Sequence, residues 1–229
     1  MKNYQNIRKS RLGLNLRIEN YTNIITNKEL IECLELLPKQ YKELDIYINI
    51  FESNIQYLKY LLKKFKLLSF TAECIDFIID KVSKSSTSGY YNIRNKEVYI
   101  LCWNIYKQID VRLDNIEKSK GYEECKDFVT KDILKYYREQ WIKYMIINML
   151  IHELTHAIQD KEKRLSKSWL KRFFTKWEKR EEEIEAMRAT IEFSSKNEDK
   201  FLEILNVKGI KANHSLQEFK YKYNLQITK

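Results

Sequence analysis

His152, Glu153 and His156 fall in the run His152-Glu153-Leu154-Thr155-His156, the spacing in this chain best suited to chemistry. Side chains four apart lie one turn above each other on a helix face, so both imidazoles can reach a single metal ion. Glu153 is turned by about 100° from His152, close enough to meet a water on that ion without being a ligand. Two neutral nitrogen donors suit Zn²⁺, and a catalytic zinc keeps one position open for water. A carboxylate can take that water's proton and later give it to a leaving amine. The plainer alternative is two surface histidines on an ordinary helix. Against it, the chain has 3 histidines, and two of them stand at the required spacing. Met145 to Ile151, interrupted by Asn148, predicts that the helix through 140–160 is buried, with Trp141, Met145, Met149 and His152 sharing one side. Buried imidazoles beside a carboxylate are costly without a metal to satisfy them.

Catalytic zinc usually has three protein ligands. His214, beyond Gly209, reads better as a polar tail residue, and no cysteine follows Cys125, so a carboxylate is expected. The run Arg180-Glu181-Glu182-Glu183-Ile184-Glu185-Ala186-Met187 opens a partly buried helix. Glu185 is embedded among apolar neighbours and followed by small Ala186, which lets a helix approach closely; it is the expected third ligand, with Glu182 as its main rival. The alternative for Glu181 and Glu182 is a solvated acidic helix start, favoured by the helix dipole.

His152-Glu153-Leu154-Thr155-His156-Ala157 followed by Glu185-Ala186 resembles the gluzincin metallopeptidases, in which a glutamate on the next helix completes HExxH. The pattern is closest to the small ImmA/IrrE-like members. The resemblance covers roughly 89–193 and implies an α+β, zincin-like fold, mostly helical, with a small twisted sheet over the motif helix. It also implies one zinc and peptide-bond hydrolysis. Ala189 stands where thermolysin-like members carry a further acid, Met187 stands where the ImmA/IrrE pattern has asparagine, and about 103–135 reads as an insertion.

A peptidase also needs an oxyanion stabiliser, for which Tyr90, Tyr91, Tyr99 and Arg188 are candidates. It needs a strand edge to align the substrate backbone. Glu97 to Leu101 is the expected strand, with plain sheet packing as the alternative. Between the histidines and Glu185, Lys161 to Arg180 holds nine Lys/Arg, and Leu165, Trp169, Phe173 and Trp177 repeat every four residues. Such a basic amphipathic stretch is usually a core stripe with a solvated back. It also defines the competing function: a non-catalytic binding protein on a zincin scaffold, contacting nucleic acid or an acidic partner.

The elements that must position these residues follow from the rest of the chain. Its 229 residues carry a net charge of +10, with 44% hydrophobic residues, 4 glycines and 1 proline, which favours long helices and excludes collagen-like, low-complexity and turn-dense β architectures. Alternation at Leu12, Leu14, Leu16 and Ile18 predicts a strand, and Thr26 to Glu29 a capping box opening a helix that Pro38 closes. Alternation at Leu44, Ile46, Ile48 and Ile50 predicts a second strand, so the chain opens β-α-β. Helices over 53–68 and 71–82 are expected next, then a polar linker over 83–89, and a hairpin pairing 90–93 with 97–101. The whole reads as one domain, 1–229, with a β-α-β part at about 10–88, a catalytic core at about 89–193 and a helical tail over 194–229. Met1 to Lys9 lacks the apolar core of a signal peptide, and no apolar run is long enough to span a bilayer. Scattered Cys33, Cys74, Cys102 and Cys125 suit free thiols in a reducing compartment, so a cytoplasmic protein acting on a peptide or protein is expected.

Overall fold

The computed structural model describes residues 16–64, 87–119, 131–165 and 180–207. Leu16 and Ile18 are buried while Arg17 is exposed, the alternation that makes β1 (Arg17–Asn20) a strand with one face on the core. Thr26 caps α1 (Asn27–Glu35): its side chain accepts from the Glu29 N–H, and the Glu29 carboxylate accepts from the Thr26 N–H at 2.7 Å. Pro38 then opens the short α2 (Lys39–Lys42), as its missing N–H permits at a helix start. β2 (Tyr47–Phe51) follows, then α3 (Asn54–Lys64).

A hairpin of β3 (Gly89–Asn92) and β4 (Glu97–Leu101) comes next. Its turn is set by Asn92 Oδ1, which accepts from the N–H groups of Arg94 and Asn95, and by Lys96 in the left-handed region at φ 55°. The helices α4 (Cys102–Glu117), α5 (Lys131–Lys161), α6 (Glu181–Lys196) and α7 (Glu198–Ile204) complete the described chain. The chain is α+β, and its four strands form one mixed sheet in the order β1-β2-β4-β3. β1, β2 and β4 run parallel, with Ile48 opposite Val98, and β3 is antiparallel to β4 at the edge.

One sheet face carries Ile18, Ile48, Ile50, Val98 and Ile100 into the main core with Leu30 and Leu34 of α1, Ile105 of α4 and Ile146, Leu150 and Leu154 of α5. The other carries Phe51, Tyr99 and Leu101 against Tyr57 and Tyr60 of α3, with Tyr90 stacked on Tyr99 at 4.7 Å. β2 is therefore covered on both faces: Asn49 and Phe51, at the positions alternation leaves to solvent, are buried. α5 packs against both β3 and β4, and α6 lies along α5.

Among the described residues no helix is long and apolar enough to cross a membrane. The expected strand residues Leu12 and Leu14, the helix over 71–82, most of the polar linker, Cys74, Cys125, His214, most of the tail beyond α7 and the aromatics Trp169, Phe173 and Trp177 lie outside the described residues. Of the basic stretch, Lys161 ends α5. Lys163 takes the left-handed region at φ 59°, its N–H bonding to the Asp160 carbonyl and that of Arg164 to the Gln159 carbonyl at 2.7 Å. This is a Schellman turn, so residues 162–165 form no helix.

Candidate metal centre

The motif lies near the C-terminal end of α5, where one turn separates the two histidines and both rings project from the helix side facing α6. The rings meet edge to face with centroids 4.8 Å apart, and their Nε2 atoms are 3.2 Å apart. Glu183, in the first turn of α6, closes a triangle: its Oε2 is 3.3 Å from His152 Nε2 and 3.2 Å from His156 Nε2. Zinc at 2.0–2.1 Å from tetrahedral ligands would separate them by about 3.3–3.4 Å. The three donor atoms already stand at that spacing, so the residues fit zinc.

Glu185, the expected third ligand, points elsewhere. Its Oε2 accepts from Gln159 Nε2 at 3.1 Å and from Arg164 Nη1 at 2.5 Å, away from the imidazoles. The cause is helical phase. The buried stripe of α6 is Glu183, Ala186, Thr190 and Ser194, at spacings of three and four, and Glu185 stands about 200° round from Glu183. Glu182 contributes its main-chain carbonyl, which accepts from Gln159 Nε2 at 2.9 Å. Small Ala186 is fully buried in that stripe, as its size suggested, but the carboxylate it admits is three residues before it.

Glu153 is buried at 4% exposure beneath the sheet edge. Burial pushes its carboxyl above the usual range; the two imidazoles and a hydrogen bond from the Tyr91 main chain pull the other way without reversing the shift. Burial also pushes Glu183 up, but its hydrogen bonds with His152 and His156 outweigh that and hold it well below the usual carboxylate range. For His156 burial favours the neutral ring, yet the Glu183 carboxylate raises its pKa overall.

Comparisons with protein-family models, curated proteins and solved structures find no match to this chain. What the site can do is therefore read from its own geometry.

The strand beside Glu153 is β3. β4, the strand expected to offer a free edge, is interior, held between β2 and β3 and buried along its length. The Leu101 N–H donates to the Ser88 carbonyl at 2.8 Å, so Ser88, Tyr90 and Asn92 form the bonded pairs with β4. The main-chain groups of Gly89 and Tyr91 consequently face outward. Strand and helix approach closely at Gly89, where a Cβ would stand 2.7 Å from Met149 Cγ and 3.3 Å from Glu153 Cγ.

A cleft of about 540 Å³ opens over the triangle, lined among others by Gly89, Tyr91, Met145, Met149, Arg180 and Met187. The oxyanion candidates are engaged or do not line the cleft. Tyr99 hydroxyl donates to Glu97, Tyr90 hydroxyl pairs with Tyr57 at 2.6 Å, and Tyr91 hydroxyl donates to Asp160 at 2.9 Å. Arg188 does not line the cleft; Arg180 does. Sequence reasoning missed Glu183, although stepping back three from Ala186 along a helix finds it. It also missed Gln159, 2.8 Å from His156 Nδ1, for which a single glutamine one turn past the motif gives no distinctive signal.

Proposed function

We propose that this chain is a zinc-dependent metallopeptidase of the zincin type, in which His152, His156 and Glu183 hold the metal and an extended peptide is the substrate. The observation that carries the reading is the triangle of donor atoms, 3.2–3.3 Å on a side, beside a buried Glu153. Bound zinc would supply a Lewis acid that acidifies a water and polarises the scissile carbonyl. Glu153 takes the proton that the attacking water loses, since its burial favours the protonated form. That carboxyl then donates to the amine nitrogen as the C–N bond breaks.

Substrate class follows from β3. Its outward main-chain groups at Gly89 and the outward carbonyl of Tyr91, whose N–H is held by Glu153, suit an added strand, which is read by backbone rather than by a small molecule's functional groups. Met145, Met149 and Met187 give the cleft an adaptable apolar wall for a substrate side chain. A reducing, cytoplasmic setting belongs to the same reading, supported by buried free thiols at Cys33 and Cys102.

Glu153→Gln tests the proposal. The variant should bind zinc with unchanged stoichiometry while cleavage of a mixed peptide library, followed by mass spectrometry, falls roughly 10²–10⁴-fold. Wild-type cleavage by this variant sinks the peptidase reading, and full cellular function without cleavage favours a binding role.

A further inference from the structure

Gln159 lies one turn beyond His156 on α5 and is 1% exposed. Its amide makes three contacts. Oε1 stands 2.8 Å from His156 Nδ1, while Nε2 is 2.9 Å from the Glu182 carbonyl and 3.1 Å from Glu185 Oε2. A main-chain carbonyl only accepts, and so does a carboxylate oxygen paired with arginine. The amide nitrogen has two hydrogens for these two acceptors, which fixes the amide's orientation and turns Oε1 to the ring. Because Oε1 can only accept, His156 Nδ1 must carry a hydrogen. The bond from Nε2 to Glu183, 3.2 Å away, therefore belongs to the doubly protonated ring, and in the neutral ring Nε2 is the lone pair left for a metal.

We propose that Gln159 is the positioning residue of the metal centre, selecting the His156 tautomer that leaves Nε2 to a metal and holding the turn of α6 that presents Glu183. The second role follows from which carbonyl it grips. The Glu182 carbonyl belongs to the peptide unit joining Glu182 to Glu183, so the bond from Gln159 fixes the backbone from which the ligand side chain starts. Arg164 acts one step further out. The Schellman turn after α5 brings its guanidinium back, so that Nη1 reaches Glu185 at 2.5 Å while Nε donates to Glu162 at 2.7 Å. Glu185 thus steadies the amide rather than the metal. One buried side chain sets two of the three ligands, on two separate helices.

The inference rests on the reading of His152, His156 and Glu183 as ligands. Its test joins zinc affinity, by chelator competition, to the His156 tautomer, by ¹⁵N–¹H correlation NMR of the neutral ring in metal-free protein. In the wild type the ring hydrogen should sit on Nδ1. Gln159→Leu should move population to the other tautomer and weaken zinc binding by about 10–100-fold, with one zinc still bound at saturation. Gln159→Glu, whose carboxylate can accept from Nδ1–H, should keep the wild-type tautomer. A wild-type hydrogen on Nε2 overturns the proposal without any variant, as does wild-type affinity in Gln159→Leu or loss of the Nδ1 hydrogen in Gln159→Glu. A wild type that binds no zinc at all overturns the ligand reading itself, and this inference with it.

Discussion

Glu183 and Glu185 sit two positions apart on α6, yet they face chemically different neighbours: two imidazoles for the first, an amide and a guanidinium for the second. Removing each should therefore have unequal consequences. Glu183→Ala deletes a proposed ligand, and its zinc affinity should fall by more than the roughly 10–100-fold typical of losing an outer contact. Glu185→Ala should stay within that range, because Gln159 keeps its bond to the Glu182 carbonyl. Competition titrations on the two variants decide between them, and a larger loss in Glu185→Ala would return the ligand role to Glu185. The sequence made His152, Glu153 and His156 legible because four-residue spacing is a local property of one helix. The third ligand depends on the rotational phase of a second helix. Ile184, Met187 and Ile191 mark apolar positions without fixing that phase, and all three are only half-buried.

Strand β3 and helix α5 meet tightly at Gly89. Its conformation is not what requires glycine; the space is, since a Cβ would meet Met149 Cγ at 2.7 Å and Met149 Sδ at 3.1 Å. Gly89→Ala should push β3 off α5, loosen the Tyr91 main-chain bond to Glu153 and cost roughly 1–3 kcal/mol of stability by overpacking. Zinc should still bind, because its ligands lie on α5 and α6, while hydrolysis falls. Thermal melting and zinc titration of the same variant check both halves, and a wild-type melting temperature would refute the close approach. Local pattern carried much of this layer of structure: alternation marked β1 and β2, Thr26 and Glu29 marked the cap of α1, and the hairpin stood at its expected place. Strand order was different. Which hairpin strand becomes the edge is decided by the parallel pairing of β2 with β4, a contact between segments far apart in sequence. The composition Glu97-Val98-Tyr99-Ile100-Leu101 was a hint, since near-continuous apolar strands are usually covered on both faces.

α1 and α5 are joined across the main core by Lys143 and Glu29, a pair half-hidden at their shared surface. Burial pushes the Glu29 carboxyl up, but hydrogen bonds from Lys143 and Thr26 outweigh it and lower its pKa on folding. A carboxyl lowered in the folded state adds stability above its unfolded value and loses it as the pH falls through its folded value. Glu29→Gln keeps one oxygen to cap the Thr26 N–H and removes the charge together with the second oxygen, which accepts from Lys143. It should be less stable than wild type near neutrality by about 1 kcal/mol, with the difference shrinking in acid. Denaturation curves at stepped pH measure it, and a gap that widens on acidification would contradict the pairing.

An ion held by His152, His156 and Glu183 would tie the fold together at a second place, across α5 and α6. An ion bound there holds only in the folded chain, so it stabilises by mass action. A hundredfold excess over the dissociation constant is worth about 2.7 kcal/mol, or roughly 5–10 °C in melting temperature for a chain of this length. Chelation should remove that increment and added zinc restore it. Glu183→Ala should show little of it at the same zinc concentration, whereas Glu153→Gln, which leaves the ligands intact, should show all of it. That contrast separates a site that binds metal from one that merely contains histidines. Equal melting temperatures for the wild-type protein with chelator and with excess zinc would dissolve the centre, and with it the case for hydrolysis.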